Sequence, residues 1–141
     1  MRALVIVLDS SVIIVVASPW HVAHEAAVSA LAVERPVLIS HVAYETTAAI
    51  SRMPEGHRLA PAVVLEWLER RFPDRWPVLT AAAGRRALRH AVGHGVRGGG
   101  LYDALIAATA AHHELTLLSA DRRAAPVYGT FGVEVVYIVA G

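Results

Sequence analysis

Apolar residues fill positions 3–8 without a break, as Ala-Leu-Val-Ile-Val-Leu, and the run stops at Asp9. A continuous run of this length, rich in β-branched residues, is the pattern of a strand buried on both faces of a parallel sheet. Ser10 or Ser11 is placed to cap a short helix over 10–17, stopped by Pro19. A second helix is expected over 21–33, with Val22, Ala26, Ser29, Ala30 and Val33 at helical spacing, and Pro36 ends the connection. Val37, Leu38 and Ile39 read as the second strand, and Ser40 as the cap of a helix over 41–53. That helix carries an apolar stripe of Val42, Thr46, Ala49, Ile50 and Met53, and Glu45 points with the stripe.

The same alternation continues to the end. Pro61 suits the first turn of a helix in which Val64, Leu65, Leu68 and Phe72 face inward. Pro73 and Pro77 bracket an extended piece at 76–79, a helix follows over 81–94, and a loop with five glycines spans 93–100. Residues 101–112 are apolar nearly all round and rich in small side chains, so that helix must be buried and closely packed. A strand at 115–118, a short helix at 121–127 and a last strand at 133–139 complete the chain. Helices alternating with short apolar strands predict a three-layer α/β/α sandwich with a central, mostly parallel sheet. With no internal repeat or linker, residues 1–141 read as a single domain.

Composition narrows the chemistry. The 141 residues include no cysteine, which excludes a disulfide framework, a thiolate metal site and a cysteine nucleophile. All thirteen basic residues are arginine, so there is no Walker lysine, no Schiff base and no lysine to steady a phosphoryl aspartate. A hydrophobic fraction of 55% and a mean hydropathy of +0.47 lead us to expect a partner that covers apolar surface. Arg2 and the apolar residues behind it resemble a secretory signal, but Asp9, Ser10 and Ser11 split the run into pieces far short of a membrane span. A cytoplasmic protein is therefore expected.

Asp9, Glu45, Asp103 and Asp121 each stand in or beside an otherwise apolar stretch, with no basic partner in register. An ionised carboxylate out of water costs several kcal/mol or more unless it is paired or bound to a cation, at the order of magnitude usual for buried charge. Oxygen donors of this kind suit Mg²⁺ or Mn²⁺. Asp9 and Asp121 fall at the carboxyl ends of predicted parallel strands, where open α/β sheets place ligands. Taken singly, each acid has a plainer reading: Asp9 and Asp121 as helix caps, Asp103 as a first-turn acid, Glu45 as half exposed.

The segments Leu8-Asp9-Ser10-Ser11-Val12, Tyr44-Glu45-Thr46, Tyr102-Asp103-Ala104-Leu105-Ile106-Ala107-Ala108-Thr109-Ala110 and Leu118-Ser119-Ala120-Asp121-Arg122-Arg123 resemble the PIN-domain family over essentially the whole chain. More narrowly, they resemble its VapC-type ribonuclease toxins of type II toxin–antitoxin systems. That resemblance implies a PIN-like fold and a Mg²⁺- or Mn²⁺-dependent endoribonuclease acting on tRNA, rRNA or mRNA. It also implies a homodimer or toxin–antitoxin hetero-oligomer, neutralised by a cognate VapB-type antitoxin whose tail lies over the active site, and no membrane. Carried over by position, Asp9, Glu45, Asp103 and Asp121 form the catalytic quartet. Asp9 and Asp103 become metal ligands, Glu45 and Asp121 further or water-mediated ones, and Ser119 a supporting residue.

Other residues carry two readings. Arg97, Arg122 and Arg123 are candidates for RNA contact, with Arg85, Arg86 and Arg89 as a further rim, although arginines on helices are often a solvated face. The histidine pairs, such as His21 with His24 and His90 with His94, lack a third ligand for zinc. Gly98-Gly99-Gly100 reads as a hinge or a phosphate nest, and Trp20, Trp67 and Trp76 as core or interface anchors. Two alternatives to the nuclease remain. One is a non-catalytic RNA- or protein-binding domain; the other, a haloacid-dehalogenase-like phosphatase, wants an aspartate where Ser11 stands and a lysine the chain lacks.

Overall fold

The run that opens the chain forms strand β1, Val5–Leu8, in the computed structural model, which describes residues 5–139. Residues 3 and 4 of the expected strand lie outside the described residues. Helices α1 (Ser10–Val16) and α2 (His24–Val33) lead to strand β2, Arg35–Val37. Four helices follow: α3 (Ser40–Ser51), α4 (Pro61–Arg71), α5 (Ala81–Gly93) and α6 (Gly100–His112). Strand β3 (Thr116–Ser119), a 3₁₀ turn at Arg122–Ala124, helix α7 (Ala125–Gly129) and strand β4 (Val135–Tyr137) end the fold.

The sheet order is β2-β1-β3-β4, and each neighbouring pair is parallel. Val7 pairs with Val37 on one side and with Leu117 on the other, and the two central strands, β1 and β3, are the most buried. Helices flank this sheet as the α/β/α arrangement requires. Leu8, Leu38, Ile50, Leu68, Ile106 and Leu117 are among the side chains that fill the main core, each worth about 1.5–3 kcal/mol when withdrawn from water. Helix α6 is buried along one side and through its second half, at Ala104, Ile106, Ala107, Ala108, Thr109 and Ala110, with the Thr109 hydroxyl donating to Leu105 O at 2.7 Å, but not all round, since Tyr102 and His112 are exposed.

Several local expectations are corrected. Asp9, not Ser10 or Ser11, caps α1, because it is the last extended residue and its carboxylate meets the Val12 N–H. Helix α2 starts at His24, since the His21 ring takes the Ala23 N–H at 3.0 Å and holds a turn there. Strand β2 lies two residues earlier than 37–39 and contains Pro36. It is an edge strand, where a residue without an N–H is tolerated, while Leu38 and Ile39 are buried in the link to α3. Ser40 is the first residue of α3 rather than its cap, and its N–H goes to Pro77 O at 3.1 Å. Leu65 is 46% exposed, because it sits about 100° round the helix from Val64, which takes the inward position with Leu68. Strand β4 is shorter than 133–139.

The glycine-rich stretch is built, at least at its start. Gly95 has φ +77 and follows the C-cap His94 of α5. The Val96 N–H reaches back to Ala91 O and the Gly95 N–H to Val92 O, each at 3.0 Å, the paired bonds that end a helix on a left-handed residue.

Candidate active site

The chain leaves β1 toward β2 and later crosses back to form β3 on the other side, so the strand order reverses between β1 and β3. Such a reversal opens a crevice at the carboxyl ends of the two strands. Asp9 follows β1 directly and its N–H still pairs with Leu118 O at 3.1 Å, while Asp121 comes two residues after β3. Glu45, one turn into α3, and Asp103, in the first turn of α6, lie near enough for the Asp9 charge to act on both.

Asp9 is 3% exposed, and its carboxylate is held at both oxygens. Oδ1 accepts from the Ser11 hydroxyl and from the Val12 N–H at 3.3 Å; Oδ2 accepts from the Tyr128 hydroxyl at 2.8 Å. Three donors supply what a carboxylate withdrawn from water needs. Ser11 Oγ also accepts the Ala120 N–H at 2.9 Å, which ties the start of α1 to the end of β3. Ser119, fully buried, accepts the Asp121 N–H on Oγ at 3.0 Å and shapes the turn that carries Asp121. The capping reading of Asp9 and Asp121 is therefore correct: each caps the turn that follows it.

The electrostatics show that these acids feel one another. Burial, then Asp103 and then Asp9, push Glu45 up to about 7. Burial, then Asp121 and then Asp9, push Asp103 up to about 6. Burial, then the Asp9 charge and the bond to it, push the Tyr128 phenol up, so its hydroxyl stays a donor. His41 lies one turn before Glu45, with Nε2 3.4 Å from Oε1, and burial pushes its imidazole down, which favours the uncharged ring. The two atoms are shielded from solvent and not aligned as a hydrogen bond, which leaves Glu45 Oε1 without a partner. The His41 ring stacks on Tyr102 with centroids 5.2 Å apart.

The donor set suits a hard divalent cation: it is all oxygen, its charges repel when ionised, and it includes a shielded, unpartnered carboxylate atom. Among the described residues no three such groups stand close enough to enclose an ion unaided. Mg²⁺ commonly keeps several waters and takes only one or two carboxylates directly, so it does not require three.

One expectation fails: Asp121 does have a basic partner in register. Arg123 Nε lies 3.2 Å from Asp121 Oδ1, although the arginine is 94% exposed and such a surface pair is worth only about 0–1 kcal/mol. Arg122 lies over the Tyr137 ring at 4.6 Å, and Arg97 is exposed in the loop before α6. The sequence reading missed Tyr128, Ser11 and His41. Ser11 carried a signal, two residues after a candidate ligand and at a helix start; Tyr128, in a short apolar segment far along the chain, carried none.

A family model of the PIN domain matches residues 6–129. The chain belongs to the PIN-domain family. It is 40% identical to Ribonuclease VapC40 of Mycobacterium tuberculosis (strain ATCC 25618 / H37Rv) over 128 residues, 90% of this chain and 94% of the relative. It is 35% identical to Ribonuclease VapC27 of the same strain over 129 residues, 91% and 93% of the two chains. Among solved structures, FitAcB from Neisseria gonorrhoeae is similar with TM-score 0.69 and 25% identity, covering 92% of this chain and 95% of that one. DNA-bound VapBC from Salmonella typhimurium shares the fold, with TM-score 0.67 and 16% identity over 98% of this chain and 100% of that one.

Proposed function

We propose that this chain is a Mg²⁺- or Mn²⁺-dependent endoribonuclease, the toxin of a toxin–antitoxin pair, acting in the cytoplasm as one PIN-like domain. The observation that carries it is the convergence of Asp9, Glu45, Asp103 and Asp121 at the strand reversal, with Glu45 and Asp103 pushed up by burial and by their neighbours' charge. The names of the curated relatives, both ribonucleases, agree with that chemistry.

Asp9 and Asp103 would hold the ion, with Glu45 and Asp121 as further or water-mediated ligands. The bound ion supplies charge neutralisation at a phosphodiester and a more acidic water. The protein's own contribution is orientation: β1 and β3 fix where Asp9 and Asp121 leave the sheet, and Ser11 and Ser119 hold those exits. Without the cation the crevice repels an RNA backbone, so substrate binding depends on the ion as much as hydrolysis does. Arg122 and Arg123 flank the crevice as candidate phosphate contacts, with Arg97 beyond the start of α6.

The partner is a cognate antitoxin that covers the crevice, in an assembly with a second copy of the chain or in a hetero-oligomer. The solved VapBC and FitAB neighbours support this kind of assembly. Incubating the purified chain with total RNA in Mg²⁺, Mn²⁺ or EDTA tests the activity. Cleavage with either ion and none in EDTA is expected; equal cleavage in EDTA, or none in any condition, overturns the reading.

A further inference from the structure

Asp9 has all it needs to cap α1 from nearby residues. Its Oδ1 takes the Ser11 hydroxyl and the Val12 N–H, both within one turn. The other oxygen is held from the far end of the chain, by the Tyr128 hydroxyl, 119 residues on, at 2.8 Å. Tyr128 is 1% exposed and belongs to the main core. Phenylalanine would fill nearly the same space without a hydroxyl to strip of water, so packing alone gives no reason for the oxygen. The bond to Asp9 does.

We propose that Tyr128 is a positioning residue: its hydroxyl fixes the plane of the Asp9 carboxylate and holds Oδ2, which keeps a free lone pair, ready for a divalent cation. This rests on the reading of Asp9 as a cation ligand. The terminal torsion of an aspartate is broad and poorly restrained on its own. A carboxylate bonded at one oxygen still swings about that bond; one bonded at both is held before the ion arrives. The three donors take three of the carboxylate's roughly four lone-pair sites, two of them on Oδ1, so the clamp leaves a lone pair on Oδ2 for the ion. Losing an outer partner of this sort typically weakens metal binding or activity about 10- to 100-fold.

Titrating Mn²⁺ into the purified chain, followed by calorimetry or by the electron spin resonance of the free ion, tests the role apart from activity. Tyr128→Phe is expected to weaken Mn²⁺ binding about 10- to 100-fold, while cleavage recovers most of its rate at saturating ion. A merely structural hydroxyl predicts a lower melting temperature with unchanged affinity in the folded protein, and that result overturns the proposal. If the unaltered chain itself binds no Mn²⁺, the cation reading falls and takes this one with it. If the unaltered chain binds and Tyr128→Phe binds equally well, only the positioning role falls. Should Tyr128→Phe fail to fold, 3-fluorotyrosine at position 128 reports instead. Its fluorine resonance is expected to move during a Mg²⁺ titration and to stay fixed in Asp9→Asn, and a resonance unmoved in the Asp9 protein overturns the proposal.

Discussion

Replacing Glu45 by glutamine should make the cation-free protein more stable while destroying its activity. The side chain lies in mid-helix, away from the favourable end of a helix dipole, beside His41, whose charged form burial disfavours, and within reach of the Asp103 and Asp9 charges. A glutamate pushed from 4.5 up to about 7 pays at most about 3 kcal/mol to ionise in the folded state at alkaline pH. Its side chain is 30% exposed, so water screens part of this, and about 1–2 kcal/mol is the working figure. For a chain of this length that corresponds to a rise of about 3–8 °C in melting temperature. The folded state holds the Glu45 proton more tightly than the unfolded state, so the penalty is absent near pH 4 and grows as pH rises to about 7. Melting curves in EDTA at pH 4 and pH 7.5 should therefore coincide for the two proteins at the lower pH and separate at the higher. Mg²⁺ should close the gap by stabilising the unaltered protein. A Glu45→Gln variant that melts at or below its parent at pH 7.5 in EDTA would show that the acids do not repel one another as described.

Asp9→Asn and Asp103→Asn should each abolish RNA cleavage while circular dichroism stays that of a folded chain; parent-like turnover by either, well folded and with Mg²⁺, contradicts the ligand assignment. Replacing Arg122 and Arg123 together by alanine should reduce the salt dependence of RNA cleavage by about one to two phosphate contacts, with stability changed by only about 0–1 kcal/mol; an unchanged salt slope moves RNA contact to Arg85, Arg86, Arg89 and Arg97. The chain should run as a dimer or as a complex with its antitoxin in sedimentation, given exposed Val22, Val33, Tyr44 and Leu88; a monomer at tens of micromolar, uninhibited by the neighbouring gene product, is the opposing result.

What the sequence showed in advance depended on whether one residue or a pair decided the matter. The strand ending at Asp9 and the apolar helix carrying Asp103 follow from local patterns, and the structure has both. The acids were visible because charge in apolar surroundings is conspicuous in one dimension. Strand β2 was displaced because Pro36 is acceptable only on an edge, and a strand's place in the sheet is a long-range fact. Leu65 was placed inward because an apolar stripe at helical spacing does not reveal its own width. Tyr128 was invisible for the plainest reason: its hydroxyl matters only through Asp9, and nothing at positions 125–129 points across the chain.

The two edges of the sheet limit how another chain can attach. Both β2 and β4 are three residues long, and β2 carries Pro36, which has no N–H to offer. A partner seeking to add a strand finds too few backbone groups for a ladder, which is how natural sheets avoid sticking edge to edge. Apolar side chains left in solvent lie largely on helices instead, among them Val33 on α2, Tyr44 on α3, Val63 and Leu65 on α4, and Leu88 and Val92 on α5. An inhibitor that reaches over the crevice therefore finds its apolar footholds largely on helix surfaces, through side-chain packing. Its affinity should then respond to the size and shape of single apolar residues, and recognition between one toxin and one antitoxin can diverge by small changes there while the sheet and the acids beneath it stay as they are.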